Sequence, residues 1–143
     1  MMAISTRGRY ATRIMVLLAS QPDRSPVTKY EIGEAEGISP AYVQQLLMAL
    51  RLAGLARSHR GRDGGFSLAR PAESISVLEV LQAVEGELMP APCAKTGYCE
   101  RSGTCPTRPL WQSAANLLSD LFQNTTVEDL MNGRAAGTAG LDL

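Results

Sequence analysis

Apolar residues recur at helical spacing along the first third of the chain. Tyr10, Ala11, Ile14, Met15, Leu17 and Leu18 mark one face of a helix over residues 6–21, with Arg7, Arg9 and Arg13 largely off it. Pro22 and Pro26 end that helix and open a loop. Thr28 and Glu31 then form a capping box, in which hydroxyl and carboxylate satisfy backbone N–H groups reciprocally, and Val27 and Ile32 stand at the staple positions. Gly37 stops this short helix, because glycine takes the left-handed cap conformation without a Cβ penalty. Ile38 and Val43 form the next staple, Ser39 caps, and Pro40 opens a third helix that runs to about Ala53 before Gly54. Tyr42, Val43, Leu46, Leu47 and Leu50 are its buried stripe, and Ala41, Gln44, Gln45, Met48 and Arg51 face away.

A short helix, a tight turn containing Gly and a capped second helix are the pattern of a helix-turn-helix. Leu55 to His59 and Phe66 to Ala69 read as two strands around the turn Gly61-Arg62-Asp63-Gly64-Gly65. A hairpin in that place is a wing, bearing Arg57, His59, Arg60 and Arg62, with Arg70 beyond. Ser76 and Glu79 form another capping box for a helix ending at Gly86, with Ile75 and Val80 as its staple. Residues 87–109 read as a loop, and a loop of that length in a compact domain is usually functional or disordered. Pro109 opens a last long helix whose stripe is Trp111, Ala114, Ala115, Leu118, Leu121 and Phe122, and Thr126 and Asp129 start a short one. A small winged domain offers little surface to cover so long a stripe, so a symmetric homodimer is expected.

The expected fold is therefore mainly α with a small β-hairpin: a winged helix-turn-helix followed by a long C-terminal dimerisation helix. Residues 1–86 would form the DNA-binding domain and 87–108 a cysteine-bearing loop. Residues 109–132 would carry assembly, and the Gly/Ala-rich 133–143 would be a flexible tail.

Composition changes this picture in one respect. The 143 residues hold 14 basic and 14 acidic side chains, a neutral total that at first argues against nucleic acid. Residues 1–72, however, carry ten Lys/Arg against five Asp/Glu, and residues 73–143 carry four against nine. A basic half joined to an acidic half points to a polyanion for the first. No apolar run approaches the length of a membrane span, and the N-terminus lacks the pattern of a secretory signal. An enzyme with a cysteine nucleophile would need a base, and the one histidine, His59, lies in the wing. No Gly-rich phosphate loop or paired acidic cluster is present, so no catalytic residues are assigned.

Cys93, Cys99 and Cys105 are the only cysteines, with five residues between neighbours. An odd count without a secretion signal argues against a disulfide framework. Structural zinc usually shows tighter pairs and four ligands. Clustered thiolates on a Gly-containing loop suit an iron–sulfur cluster, and a thiol switch is the alternative.

Taken together, Arg7-Gly8-Arg9-Tyr10-Ala11, Gly37-Ile38-Ser39, Tyr42 and Gln45, the wing Arg60-Gly61-Arg62-Asp63-Gly64-Gly65-Phe66, and Cys-x5-Cys-x5-Cys before Leu110-Trp111 resemble the bacterial Rrf-type regulators, the IscR/NsrR/RirA group. The resemblance covers about residues 2–132. It implies a cytoplasmic, homodimeric winged-helix transcription regulator. In its cluster-binding members three loop cysteines hold a two-iron (2Fe-2S) or four-iron (4Fe-4S) cluster that controls operator affinity. This chain departs from the group at the fourth ligand. Where IscR-like members place a histidine stands Arg108, and where NsrR-like members use an acidic residue of the first helix stands Arg9.

The leading reading is thus a DNA-binding regulator with an iron–sulfur cluster on Cys93, Cys99 and Cys105. It senses redox state, nitric oxide or iron. The helix from Ser39 would enter the major groove, with Gln44 and Gln45 aimed at adenine edges and Ser39 and Tyr42 at phosphates or bases. Arg60 and Arg62 of the wing would reach the minor groove or backbone, and Arg7 and Arg9 the phosphates. A palindromic duplex with half-sites ~34 Å apart would match the dimer. The runner-up is a cluster-free regulator of the same architecture.

Overall fold

A computed structural model describes residues 4–94, 99–101 and 103–136. Its helices and strands run α1 (Thr6–Ala19), α2 (Lys29–Glu36), α3 (Pro40–Leu52), β1 (Ala56–His59), β2 (Gly65–Leu68), α4 (Val77–Glu85), α5 (Arg108–Asn124) and α6 (Val127–Met131). The expected winged helix-turn-helix with a long C-terminal helix is the observed architecture. Boundaries move by a residue or two: α1 stops at Ala19, and α5 begins at Arg108 with Pro109 inside its first turn. Part of the expected 133–143 tail, residues 137–143, lies outside the described residues.

Local chemistry sets the helix starts. Thr28 Oγ1 accepts from the Glu31 amide at 3.2 Å while Glu31 accepts from the Thr28 amide at 2.8 Å. The same reciprocal box opens α4 through Ser76 and Glu79, and α6 through Thr126 and Asp129. Ser39 caps α3 by accepting from the Tyr42 amide. Gly37 ends α2 in the left-handed region at φ 70°. The sharp turn between α2 and α3 also needs Gly33, because a Cβ there would sit 2.7 Å from the Ile38 carbonyl oxygen.

The core lies where α1, α2, α3, α4 and the hairpin converge. It is built from Ile14, Met15, Leu18, Ile32, Val43, Leu46, Leu47, Leu50, Leu55, Ile75 and Val80, all but closed to solvent. The staple residues Val27, Ile32, Val43, Ile75 and Val80 are all part of it.

The hairpin is antiparallel, with Ala56 opposite Leu68, Arg57 opposite Ser67, Ser58 opposite Phe66 and His59 opposite Gly65. Val27, just before α2, adds a one-residue bridge on the outer side of Phe66, with N–O distances of 2.8 and 2.9 Å. Gly65 permits that approach. It sits at φ 143°, and a Cβ there would fall 2.6 Å from Val27 backbone atoms. The wing is therefore fastened to the entry of the helix-turn-helix.

Downstream of α4 the chain passes a 3-10 turn at Pro92–Ala94, traverses α5 and returns. Val77 donates to the Thr125 carbonyl at 2.8 Å, Val127 donates to the Ile75 carbonyl at 2.9 Å, and the fully buried Val127 joins the core beneath α1. Helix α5 packs on α4 and on the Pro92–Ala94 turn and has no buried residue.

Candidate nucleic-acid interface and cysteine loop

The outward face of α3 is formed by Ala41, Gln45, Met48 and Leu52, none of them buried. Gln45 is open to solvent, whereas Gln44 lies half-covered at the edge of that face. Tyr42 falls on the other flank. Its ring stands edge-on to Tyr10 with centroids 6.3 Å apart, and the Arg13 guanidinium lies over the far ring at 5.8 Å. Arg13 in turn pairs with Glu36 of α2 at 2.5 Å. Tyr42 thus helps to lock α3 onto α1, and Arg13 ties α1 to α2. The Ser39 side chain, occupied as a cap acceptor, retains its hydroxyl proton as a donor.

The wing residues Arg57, Arg60 and Arg62 are exposed. His59 Nε2 stands 2.7 Å from the Ser67 hydroxyl across the hairpin, and Arg51 at the end of α3 reaches Ser58 at 3.4 Å. Arg70 is committed elsewhere. Its guanidinium spans both Glu79 carboxylate oxygens, at 2.9 and 3.1 Å, and donates to the Ser74 carbonyl at 2.7 Å. The cationic wing surface therefore ends at Arg62 and does not continue through Arg70.

Arg7 and Arg9 are exposed on the first turns of α1. Arg9 lines a shallow, mainly apolar groove with Ile4, Thr12, Arg13, Val77, Leu81 and Phe122, beside the C-terminal end of α5. The sequence reading did not include Lys29 and Tyr30 in the first turn of α2. Tyr30 is 66% exposed, with the Lys29 ammonium 5.5 Å from its ring centroid. The signal was available: in a helix-turn-helix the first helix crosses the phosphate backbone. Ser5, at the start of α1, caps that helix and donates from its amide and hydroxyl to Glu85 at the end of α4. A pair separated by 80 residues leaves no local trace in the sequence.

All three cysteines are free and half-buried, on the segment that leads from α4 into α5. Among the described residues no three metal-ligating side chains are gathered in one place. Residues 95–98 and 102, between the cysteines, lie outside the described residues. Cys105 Sγ lies 3.2 Å from the Thr107 hydroxyl. That hydroxyl, the amides of Thr107 and Arg108, and the Arg101 charge favour the thiolate and hold the Cys105 thiol below its ordinary value. Stabilised, soft sulfur donors of this kind suit iron.

On α5, Trp111, Ala114, Leu118 and Phe122 continue outward into Leu110, Leu117 and Leu121. Leu110 is 61% and Leu117 71% exposed. The stripe foreseen in the sequence is thus partly laid against α4 and partly bare.

A winged helix-turn-helix body with a cationic hairpin and a long C-terminal helix that leaves apolar residues exposed defines a class, the winged-helix transcription regulators. Comparison with known proteins gives the family. Residues 4–133 match the model of Rrf2, described as an iron-dependent transcriptional regulator. The HTH-type transcriptional regulator IscR of Vibrio campbellii is 36% identical over 130 residues, 91% of this chain and 77% of that protein. The solved structure of CymR, the global cysteine regulator of B. subtilis, superposes with a TM-score of 0.79 at 31% identity, covering 93% of this chain and 98% of that one. T. potens IscR superposes with a TM-score of 0.76 at 28% identity, covering 99% and 93%. The chain belongs to the Rrf2 family of transcriptional regulators.

Proposed function

We propose that this regulator binds a palindromic DNA operator as a homodimer, and that an iron–sulfur cluster on Cys93, Cys99 and Cys105 sets its operator affinity. The observation that carries the reading is the place of the thiols. Three free, half-buried cysteines occupy the segment between the DNA-facing body and the bare assembly helix. The description of the matching family as iron-dependent regulators favours iron as what these thiols bind.

The residues present fit the group by donor chemistry: three soft sulfurs, one already biased toward thiolate. When bound, the cluster supplies a redox- and oxygen-sensitive iron centre. The chain's own part is mechanical. Cys93, Cys99 and Cys105 would hold the cluster, and α5 begins three residues after Cys105. The start of the proposed dimer helix would thereby be tied to the state of the loop, and loaded and apo forms would differ in the spacing of their recognition helices. On DNA, Gln45 and Gln44 face base edges, Ser39 and Tyr42 the start of the site, and Arg60 and Arg62 the adjacent groove or phosphates. Arg7 and Arg9 add phosphate contacts. The acidic second half lies away from the duplex.

Purification without oxygen tests the cluster. The expected protein is coloured, contains iron and sulfide, and loses its visible absorption when any one of the three cysteines becomes serine. A colourless protein without iron removes the cluster. Equal operator affinity of the loaded and apo forms removes the coupling. Arg60→Ala should lower the salt slope of binding by about one unit, and an unchanged slope takes the wing out of the interface. The stabilised thiolate at Cys105 favours one second reading, a cluster-free thiol switch. It requires operator affinity to change on thiol oxidation in iron-free protein.

A further inference from the structure

Ala41, Gln45, Met48 and Leu52 follow one another at four-, three- and four-residue steps, so they form one strip along the outer side of α3. The opposite side is the buried stripe Val43, Leu46, Leu47 and Leu50, so the strip faces directly away from the body. Gln45 is its one polar residue. Met48 is 39% exposed, and Leu52 is more exposed still. Among the described residues the strip stays open to solvent, and Arg51, Arg57, Arg60 and Arg62 are exposed nearby on the same helix end and on the wing. The surroundings are complementary to a polyanion and the centre of the face is apolar.

Among the base edges in the major groove one alkyl group stands out, the 5-methyl of thymine, and apolar side chains read it by contact. Resting on the DNA-reading proposal above, we infer that Met48 and Ala41 are specificity residues that read thymine methyl groups on either side of the base pair addressed by Gln45. Helical rise fixes the spacing. Met48 is three residues beyond Gln45, about 4.5 Å along the axis, and Ala41 is four residues before it, about 6 Å. Met48 therefore meets the groove on one side of the pair read by Gln45. Ala41 meets it on the other. Ala41 lies in the first turn of the helix, whose N-terminal residues contact base edges in this motif, and Met48 lies two turns on along the same face. The inference predicts a half-site in which thymines flank the adenine bound by Gln45. A duplex carrying cytosine there offers an amino group to an apolar side chain and is rejected.

The test uses the full chain and chemistry on the DNA. Selection from randomised duplexes gives the preferred half-site, and each thymine in it is then replaced singly by uracil, which deletes the methyl and keeps the base pair. At one or two positions the replacement should weaken binding about three- to fivefold, the worth of one buried methyl group. Met48→Ala should bind the thymine duplex about as weakly as the unsubstituted protein binds the uracil duplex, and should no longer distinguish the two at that position. Met48 is outside the core and alanine favours helix, so thermal unfolding should be unchanged. A selected half-site in which every thymine tolerates uracil, or a Met48→Ala protein that still discriminates, overturns this inference and leaves the DNA-reading proposal standing. A chain that selects no sequence overturns both.

Discussion

Helices α3 and α5 are both amphipathic, yet the chain uses them differently. Helix α3 buries Val43, Leu46, Leu47 and Leu50 completely, because α1, α4 and the hairpin close over that side. Helix α5 is four residues longer and buries none, because among the described residues chiefly α4 and the Pro92–Ala94 turn lie against it. The difference shows where each helix draws its stability. For α3 it is intramolecular, and the face left over is shaped for a ligand. For α5 the body covers one flank of a wide apolar stripe and leaves Leu110, Leu117 and Leu121 exposed, the face that the proposed dimer would cover. A bare apolar face of this kind marks an interaction site.

Core truncation is the most severe way to sharpen that contrast. Leu47→Ala removes a fully buried side chain and should cost about 2–5 kcal/mol in denaturant unfolding. The next effect should fall on assembly. Leu117→Asp places a charge on the bare face of α5, so in the proposed dimer an unpaired carboxylate would be buried, at a cost of about 3 kcal/mol or more. That corresponds to a hundredfold or greater loss in dimer affinity, read by sedimentation at a series of concentrations. A Leu117→Asp protein that sediments as the unsubstituted dimer would show that α5 does not pair through this face. A Leu47→Ala protein unfolding at the original denaturant concentration would dissolve the contrast altogether.

These outcomes depend on features that differ in how far the sequence reveals them. The capping boxes at Thr28–Glu31 and Ser76–Glu79 were legible because each is a local exchange between residues three apart, Thr126 and Asp129 were legible as a helix start, and Ser39 and Gly37 were legible for the same reason. The buried stripe of α3 and its outward strip followed from the helical period. The bridge from Val27 to Phe66 was not legible, since a single paired residue has no alternation to detect. The return of Val127 into the core was hidden likewise, because it depends on a bridge between Ser76 and Thr126 across 50 residues. At the candidate site, Gln45, Arg60 and Arg62 stand exposed as the pattern suggests, but Arg70 carries the same charge and is spent on Glu79. Charge is visible in a sequence; its partner across a fold is not.

That Arg70–Glu79 pair supplies a smaller test, confined to the body. Burial pushes the Glu79 carboxyl up, but the Arg70 guanidinium and the Ser76 amide outweigh it and hold the group below its ordinary 4.5. Since the folded pKa is the lower one, the stabilisation is complete above the unfolded value. It is lost as pH falls below 4.5 and through the folded pKa. The pair is partly exposed and screened by solvent, and glutamine can still accept from the Ser76 amide, so Glu79→Gln should cost up to about 1 kcal/mol at neutral pH, from the lost charge opposite Arg70. The difference from the unsubstituted protein should shrink in acid. A difference that grows on acidification would reverse the assignment, and equal stability at neutral pH would remove it.

The mildest expected effect lies at the junction where the two helices' regimes meet. Thr107 precedes α5, and its hydroxyl is the foremost of the groups that favour the Cys105 thiolate. Thr107→Val keeps the side-chain volume and deletes that donor, so the thiol should titrate closer to its ordinary 9.0. In metal-free protein carrying Cys105 as its one cysteine, alkylation at neutral pH should slow severalfold, and its rate should rise to the same plateau at high pH. Thermal unfolding should not change, because Thr107 is exposed and outside the core. An alkylation profile that does not move would leave the Thr107 hydroxyl without influence on the thiolate. A lower plateau at high pH would instead mean that the valine blocks access to the sulfur. The expected result would place an activated sulfur three residues before α5, the helix whose outer apolar face stays bare, so that a group bound there would sit at the entry to the proposed assembly face.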